Sequence, residues 1–292
     1  MSGIPNPTSF VIEPEKMIRN IRIETMDQLM ELIAEETYRP ELKRYRDLHI
    51  FRGECDSSFT LSTSLMRNCK SLSRQLEMPM LQNFTKYAVM EKPMIEGNVW
   101  QQLILGQHHG LPTRLLDWSF SPLMALHFST AEQDLDRMTE HDSVVWRIDV
   151  HELHELLPDK YREIMNKYHS TVFSVDMFSE ACRSPEEYDR DMKDERMVVI
   201  EPPSIDRRII SQYSFFSVVP IEMTDIVGFL NENTENTARY VIAKELRWQI
   251  RDFLDHQNIT ERVVYPGLDG ISEWLGRHYY VRKELLTEMN EA

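Results

Sequence analysis

Apolar positions along the chain follow two different periods, and together they predict a mixture of strands and helices. Alternation of apolar and polar residues, rich in β-branched and aromatic side chains, predicts strands at 21–23, 48–54, 143–150, 197–200 and 215–219. Apolar residues spaced three and four apart predict amphipathic helices from Thr25 to about Pro40, at 75–90, at 96–106, at 238–257 and from 271 onwards. Pro79 and Pro93 are expected to interrupt or begin helices.

One further helix is specified by its first residues. Ser121 is a favourable N-cap, and Pro122 suits the first helical position, where a backbone N–H is not needed. The apolar residues that then trace one helical face are Met124, Phe128, Ala131 and Leu135. The segment from Asp117 to Ser119 is therefore expected to lie directly before a helix N-terminus.

The order of these elements predicts a single α+β domain. No internal repeat and no Gly- or Ser-rich linker divides the chain, so we expect one domain over 19–285, with a central, mostly antiparallel β-sheet flanked by helices. Residues 1–18, rich in Pro and small polar residues, are expected to form a loose arm, and 286–292 a short C-terminal tail.

Net charge and cysteine content indicate which partners and which compartment the protein is expected to have. The formal net charge is -15, from 48 acidic and 33 basic residues, which disfavours a broad nucleic-acid or membrane surface. Three cysteines match no zinc spacing and cannot all pair with each other. Residues 1–10 lack the charged start and the apolar stretch expected of a signal peptide, and no apolar run has the length needed to span a bilayer. We therefore expect a cytoplasmic protein with no membrane partner.

Motifs of the common enzyme classes are missing from the sequence. It contains no Gly-rich dinucleotide turn, no phosphate-binding loop, no serine-hydrolase elbow and no zinc helix. The neighbouring His108 and His109 point to different sides of a helix and have no accompanying ligand set, so we expect no metal site.

The most unusual stretch runs from Gln107 to Phe128. It places charged and polar side chains among apolar ones, where such groups are either paired or functional; they are Gln107, His108, His109, Thr113, Arg114 and Asp117. Together with Phe51-Arg52-Gly53, this stretch resembles the FRG domain family, whose members share Q-H-H/Y-G-L-P-T-R-L-L-D-W. The resemblance continues through Arg208 to Phe216, except that Ser214 replaces a frequent Gly, and through Val264 to Gly270.

A second resemblance concerns the order of elements. Arginine-serine-glutamate ADP-ribosyltransferases have a strand ending in aromatic-Arg-Gly, a Ser/Thr-rich strand before a helix, and an acidic residue before a late strand. The similar positions are Phe51-Arg52-Gly53, then Asp117 to Ser119, then Gln212 before 215–219. The resemblance implies a split sheet, NAD as cofactor, and ADP-ribosyl transfer to a protein or nucleic-acid acceptor, or NAD hydrolysis.

It also implies roles for individual residues. The catalytic group would comprise Arg52, Asp117, Ser119 and Gln212, and the cofactor would be held by Gly53, Gln107, His108, His109, Thr113, Arg114 and Arg208. Gln212 is the weak member, because an amide supplies no negative charge and no base at neutral pH. The missing carboxylate would then be Asp117, Glu54 or Glu222. An NAD-consuming protein of a microbe would suit a toxin or an anti-phage defence component.

Two alternatives remain open at this point. Arg52, Arg114 and Asp117 would form a buried ion-pair network in a structural or protein-interaction domain. Otherwise the domain would bind a nucleotide or nucleic acid without turnover, through a local anion pocket drawn from arginines, namely Arg44, Arg46, Arg52, Arg67, Arg114, Arg207 and Arg208.

Overall fold

The computed structural model describes residues 17–34, 38–39, 43–45, 48–90 and 97–282. The strands are β1 Arg19–Ile23, β2 Tyr38–Arg39, β3 Arg44–Tyr45, β4 His49–Glu54, β5 Leu115–Ser119, β6 Ser143–Asp149, β7 Phe173–Ser174, β8 Val198–Glu201, β9 Ser214–Val218 and β10 Ala238–Ile242. Most of the predicted arm and all of the predicted tail lie outside the described residues, as do Pro40 and Pro93.

Helices connect most of the strands. They are α1 Met26–Ala34, α2 Ser64–Cys69, α3 Ser73–Ala88, α4 Val99–His108, α5 Pro122–Ser129, α6 Val150–Glu155, α7 Asp159–Tyr168, α8 Val175–Ala181, α9 Pro185–Met192, α10 Arg207–Ser211, α11 Ile226–Asn233, α12 Arg247–His256, α13 Glu261–Val264 and α14 Leu268–His278. In the described ranges, no helix combines the length and apolar character needed to cross a bilayer.

Eight strands form one open sheet in the order β1-β10-β6-β4-β5-β9-β8-β7. The two outermost pairs, β1 with β10 and β7 with β8, are parallel, whereas every pair between them is antiparallel. The predicted single α+β domain with a mostly antiparallel sheet is thereby confirmed.

The sheet is nearly divided at its centre. Strand β4 is paired with β6 along its whole length, and β5 is paired with β9 along its whole length. In contrast, β4 and β5 share the single pair Phe51 and Ser119. Beyond this pair the two strands separate, so that two groups of four strands meet at one narrow bridge.

Packing follows the alternation of side chains along the strands. Ile50 and Phe51, neighbours on β4, belong to separate apolar clusters on opposite faces of the sheet. The Ile50 cluster includes Trp118, Trp146, Ile148 and Leu230. The Phe51 cluster includes Leu126, Val145, Tyr240 and Ile250. A third cluster, under the β5 half of the sheet, includes Trp100, Leu115, Tyr188, Val198 and Phe216.

Three of the predicted elements are wrong in detail. The helix predicted over 238–257 begins as strand β10, and α12 starts only at Arg247, because Ile242 fits the helical spacing of Leu246 and Ile250 as well as strand alternation. Pro79 lies inside α3, where the buried neighbours Glu77 and Leu81 hold the helix in place despite the missing N–H. Helix α5 ends at Ser129, short of Ala131 and Leu135.

Gly53 lies against the backbone of helix α5. A Cβ atom at this position would come within 1.8 Å of the Ala125 carbonyl oxygen and 2.6 Å of the Ser129 nitrogen. Neither backbone atom can move away as a flexible side chain would. The glycine therefore sets the distance between β4 and α5.

We expect Gly53→Ala to destabilise the fold by at least about 2 kcal/mol, because the added methyl group must push helix and strand apart. Gly276→Ala is the matched control, since a Cβ there meets no atom within 4 Å, and it should change stability by less than about 1 kcal/mol, in the stabilising direction. Urea unfolding of the two variants measures the difference. Equal stability of the two would contradict the packing account.

His154 is a buried imidazole that links α6 to β8 and to the segment just before β7. Its Nε2 accepts a hydrogen bond from the Val199 N–H at 3.1 Å, and its Nδ1 lies 3.1 Å from the Thr171 carbonyl. Burial disfavours the imidazolium and lowers the pKa of His154 to about 4. The ring is therefore neutral in the folded protein, with the proton on Nδ1.

The pKa of His154 in the folded protein lies below its unfolded value of 6.5. The stability that the neutral ring contributes is therefore complete above pH 6.5 and is lost as the pH falls towards 4. The loss amounts to about 3 kcal/mol at most. We expect unfolding free energies measured from pH 7.5 to 4.5 to fall less steeply for His154→Gln than for the wild type. His151→Gln, at an exposed position of the same helix, should keep the wild-type slope; an unchanged slope in His154→Gln would refute the assignment.

Candidate functional site

The separation of β4 from β5 places Arg52 at the centre of the domain. Just past the Phe51 and Ser119 pair, the Arg52 Nη1 donates to the Asp117 carbonyl oxygen at 2.9 Å, and its Nε donates to Glu54 Oε1 at 2.8 Å. The guanidinium thus bridges the two strands where their backbones no longer pair. The Asp117 carboxylate lies 3.9 Å from Nη1, and its side chain is 52% exposed, whereas that of Arg52 is 17% exposed. We call this region, where β4 and β5 no longer pair, the opening between β4 and β5.

A directed series of hydrogen bonds orients the Asp117 carboxylate. The Leu115 N–H donates to Thr113 Oγ1 at 3.2 Å, and this hydroxyl donates to Gln107 Oε1 at 2.6 Å. The Gln107 Nε2 then donates to Asp117 Oδ2 at 2.6 Å. Because its oxygen is held by Thr113, Gln107 must turn its NH₂ towards Asp117. Gln107 and Thr113 therefore position the carboxylate.

Ser119 and Gln212 meet at the C-terminal end of β5, but through a backbone group of Gln212. The buried Ser119 hydroxyl donates to the Gln212 carbonyl oxygen at 2.7 Å and accepts from the Ser121 N–H at 3.0 Å. The Gln212 side chain donates to the Val264 carbonyl at 3.1 Å. Ser121 caps α5 as predicted. In this arrangement Ser119 stabilises the turn from β5 into α5 and joins it to α10.

Two carboxylates lie next to Arg52, and the third candidate lies elsewhere. Glu54 is held against the Arg52 Nε and its side chain is 10% exposed, whereas Asp117 is half exposed. Glu222 follows the end of β9 and pairs with Arg74 of α3 at 2.6 Å. Asp117 is thus the carboxylate that is both close to Arg52 and open to a ligand.

Arg114, predicted to hold the cofactor, lies in a buried ion-pair cluster away from solvent. Its side chain is 3% exposed and is enclosed by carboxylates: Glu77 of α3 binds Nε at 2.7 Å and also Nη2, and Asp189 of α9 binds Nη1 at 2.7 Å. Burial lowers the pKa of Arg114, but Glu77 and Asp189 outweigh it, so the pKa is raised overall. No space remains for a ligand. The predicted network of Arg52, Arg114 and Asp117 is accordingly divided, with only Arg114 in a buried ion-pair cluster.

His108, His109 and Arg208 surround a separate cavity of about 390 Å³. It lies between the end of α4 and the start of α10, and its lining is completed by Ile205, Asp206, Arg207 and Pro266. Burial lowers the pKa of His108, and the charge of Arg208 lowers it further, although Asp206 acts in the opposite direction. A neutral His108 donates from Nε2 to Asp206 Oδ1 at 2.9 Å.

The other predicted anion-pocket arginines that the structure describes, Arg44, Arg52, Arg67 and Arg114, do not line this cavity. Arg67 donates to the Ser62 carbonyl at the end of α2, and Arg46 lies outside the described residues. Among the residues that the structure describes, no group of three or more His, Cys, Asp or Glu side chains is arranged to hold a metal ion.

Tyr265 helps to hold Arg208 beside the cavity, a role that the sequence analysis did not predict. The guanidinium of Arg208 lies over its ring, 4.9 Å from the centroid, a geometry in which the ring face attracts the cation. Tyr265 belongs to the segment Val264 to Gly270, which was noted as part of the FRG resemblance but given no role. The signal in the sequence was an aromatic residue directly before Pro-Gly. The sequence does not show that Arg208, 57 positions away, is the partner of Tyr265.

Comparison with known proteins supports the family assignment. Residues 47–137 match the FRG domain model, a stretch that includes β4, α3, α4, β5 and α5 with Gly53, Arg52, Gln107 and Asp117. The chain therefore contains an FRG domain. Neither the search of curated proteins nor the search of solved structures found a match.

We expect Arg114→Met to destabilise the fold by about 3 to 5 kcal/mol, because two buried carboxylates lose their counter-ion. Arg74→Met is the control: it breaks an exposed pair with Glu222, which should cost less than about 1 kcal/mol. Thermal or chemical unfolding measures both changes. A mild effect of Arg114→Met, similar to that of Arg74→Met, would show that the buried cluster is not needed for stability.

Proposed function

We propose that the domain binds NAD at the opening between β4 and β5 and cleaves the bond between nicotinamide and ribose. ADP-ribose is then transferred to a protein or nucleic-acid acceptor, or to water. The observation that carries this proposal is the order β4-β5-β9. The three segments in which the ADP-ribosyltransferase resemblance lies are far apart in sequence yet form consecutive strands, and the sheet opens beside Arg52 and Asp117.

The arrangement suits the chemistry of NAD cleavage. The bond from ribose C1′ to the nicotinamide nitrogen breaks heterolytically, and its electron pair leaves with neutral nicotinamide. Positive charge then develops on the ribose, and a nearby fixed carboxylate stabilises it. We assign this role to Asp117, whose orientation is fixed by Gln107 and Thr113. The incoming water or acceptor hydroxyl forms the new bond to C1′ and gives its proton to the Asp117 carboxylate or to solvent.

Arg52 is assigned to the pyrophosphate or ribose oxygens. A guanidinium offers a planar fork of donors suited to such groups. Glu54 and the Asp117 carbonyl hold two of its nitrogens, so the group is oriented before the ligand arrives, which lowers the entropic cost of binding. Gln212 takes no chemical part in this proposal, because its amide is bound to Val264.

The test is release of nicotinamide from NAD by purified protein. Asp117→Asn keeps an oxygen that can accept from Gln107 but removes the negative charge, and it should lower turnover by about a hundredfold or more. Arg52→Gln should abolish turnover and the rise in melting temperature with NAD.

Arg22→Gln is the matched control for Arg52→Gln. Arg22 is also a strand arginine whose Nε binds a glutamate two residues on, Glu24, at 2.8 Å, but it lies at the sheet edge on β1. It should behave as wild type. A wild-type protein that neither releases nicotinamide nor shifts its melting temperature with NAD would overturn the proposal.

A second function, binding of a nucleotide without turnover, is favoured by a different observation, the cavity beside Arg208. It predicts a melting-temperature shift with NAD and no nicotinamide release. The role of a microbial toxin or defence component depends on turnover and is proposed only with it.

A further inference from the structure

Several buried or partly buried arginines among the described residues have an enclosed donor without a hydrogen-bond partner, and Arg208 is the one of them that lines the cavity. In Arg114 and Arg277, all three guanidinium nitrogens bind carboxylates. The Arg208 Nη1 instead reaches only the His108 carbonyl oxygen, at 3.5 Å, and its enclosed Nε has no hydrogen-bond partner among the described residues. Removing donors from water without acceptors is costly, which points to a ligand as the missing acceptor.

The cation is nevertheless held in one place. Its guanidinium is stacked on Tyr265 at 4.9 Å, and the backbone N–H of Arg208 is bound by Asp206 at 2.9 Å. Asp206 Oδ1 accepts this bond and also the bond from the His108 ring at 2.9 Å. A fixed arginine with unused donors resembles the anion sites in which Arg binds oxyanions through two parallel bonds.

The space beside Arg208 matches a small ligand. The cavity of about 390 Å³ falls within the usual range of small-molecule sites, about 300 to 1,000 Å³. The exposed Arg207 adds a second positive charge to its lining, so that two arginines stand against the single carboxylate of Asp206, and His109 adds a further polar group. An anion with several oxygens would engage these donors together.

The cavity is joined to the strand that carries Asp117. Helix α4 reaches β5 through the bond from Gln107 to Asp117 at 2.6 Å, and His108 is the next residue. Helix α10 reaches β5 through the bond from Ser119 to the Gln212 carbonyl at 2.7 Å. The two helices that bound the cavity therefore both contact β5, one at Asp117 and one at Ser119.

We propose that this cavity is a phosphate-binding subsite, in which Arg208 and Arg207 receive a phosphate group of a nucleotide. The assignment of that phosphate to NAD rests on the proposed function, whereas binding of the phosphate itself does not. In NAD the group would be a phosphate of the pyrophosphate bridge, with the nicotinamide ribose at the opening between β4 and β5.

The experiment is calorimetric titration of the full chain with inorganic phosphate, AMP and NAD. The wild type should bind AMP and NAD, and Arg208→Gln should weaken both by about tenfold or more, as expected when charge-assisted hydrogen bonds are lost. Arg262→Gln is the matched control, since Arg262 also lies over an aromatic ring, that of Trp274 at 4.5 Å, but outside the cavity. It should bind as wild type.

Because Arg208→Gln also removes the stacking on Tyr265, which supports the fold, a second variant is included. Arg207 is exposed, and Arg207→Gln should fold normally and bind AMP more weakly than the wild type. The proposal would be overturned if Arg207→Gln and a folded Arg208→Gln both bound AMP as tightly as the wild type. It would also be overturned if the wild type bound neither AMP nor phosphate. Binding of inorganic phosphate as tight as that of AMP would identify free phosphate as the ligand.

The outcome separates the subsite from catalysis. Binding of AMP that depends on Arg208, without nicotinamide release from NAD, supports the subsite and contradicts the proposed function. Nicotinamide release with a KM for NAD that is unchanged in Arg208→Gln supports the function and contradicts the subsite.

Discussion

The close contact between strand β4 and helix α5 is the constraint on which the centre of the molecule depends. Because residue 53 has no side chain, the helix backbone can lie directly on the strand. A Cβ added at residue 53 would lie only 1.8 Å from the Ala125 carbonyl oxygen. Helix α5 in turn fixes the end of β5, through the cap at Ser121 and the buried Ser119. The glycine of the Phe-Arg-Gly tripeptide therefore positions both strands of the opening.

The position and the hydrogen bonds of Arg52 depend on this arrangement. Where β4 and β5 separate, its guanidinium replaces the missing backbone pairing by binding the Asp117 carbonyl. The same separation exposes the Asp117 carboxylate, and Gln107 and Thr113 orient it. The bridging Arg52 and the candidate reactive group, the Asp117 carboxylate, thus both lie where the pairing of β4 and β5 is interrupted. Arg114 is fully paired and serves stability, whereas Arg208 has an unpaired donor and lines a cavity.

Much of the fold could be predicted because its signals are local. The alternation at 48–54 and the cap at Ser121 depend on neighbouring residues alone, and both were predicted. The family resemblance likewise identified Gln107 and Asp117 as members of one unusual stretch. Strand β10 was missed because Ile242 satisfies two periodicities at once, and only the parallel partner β1 and the antiparallel partner β6 decide between them.

The chemical environment of single residues was much less predictable. Arg114 was grouped with Asp117 because the two lie three positions apart, yet its partners are Glu77 and Asp189, at separations of 37 and 75 residues. Gln212 was taken as a catalytic position, but its side chain binds Val264. Charge pairing across such distances depends on the complete topology, which one sequence does not contain.

A structure of Asp117→Asn with NAD bound tests the central claim most directly. The opening between β4 and β5 should hold the nicotinamide ribose, with C1′ facing residue 117, Arg52 within hydrogen-bonding distance of ribose or phosphate oxygens, and a phosphate directed towards Arg208. NAD bound on another surface, with the Arg52 guanidinium contacting only Glu54 and the backbone of residue 117, would contradict the account.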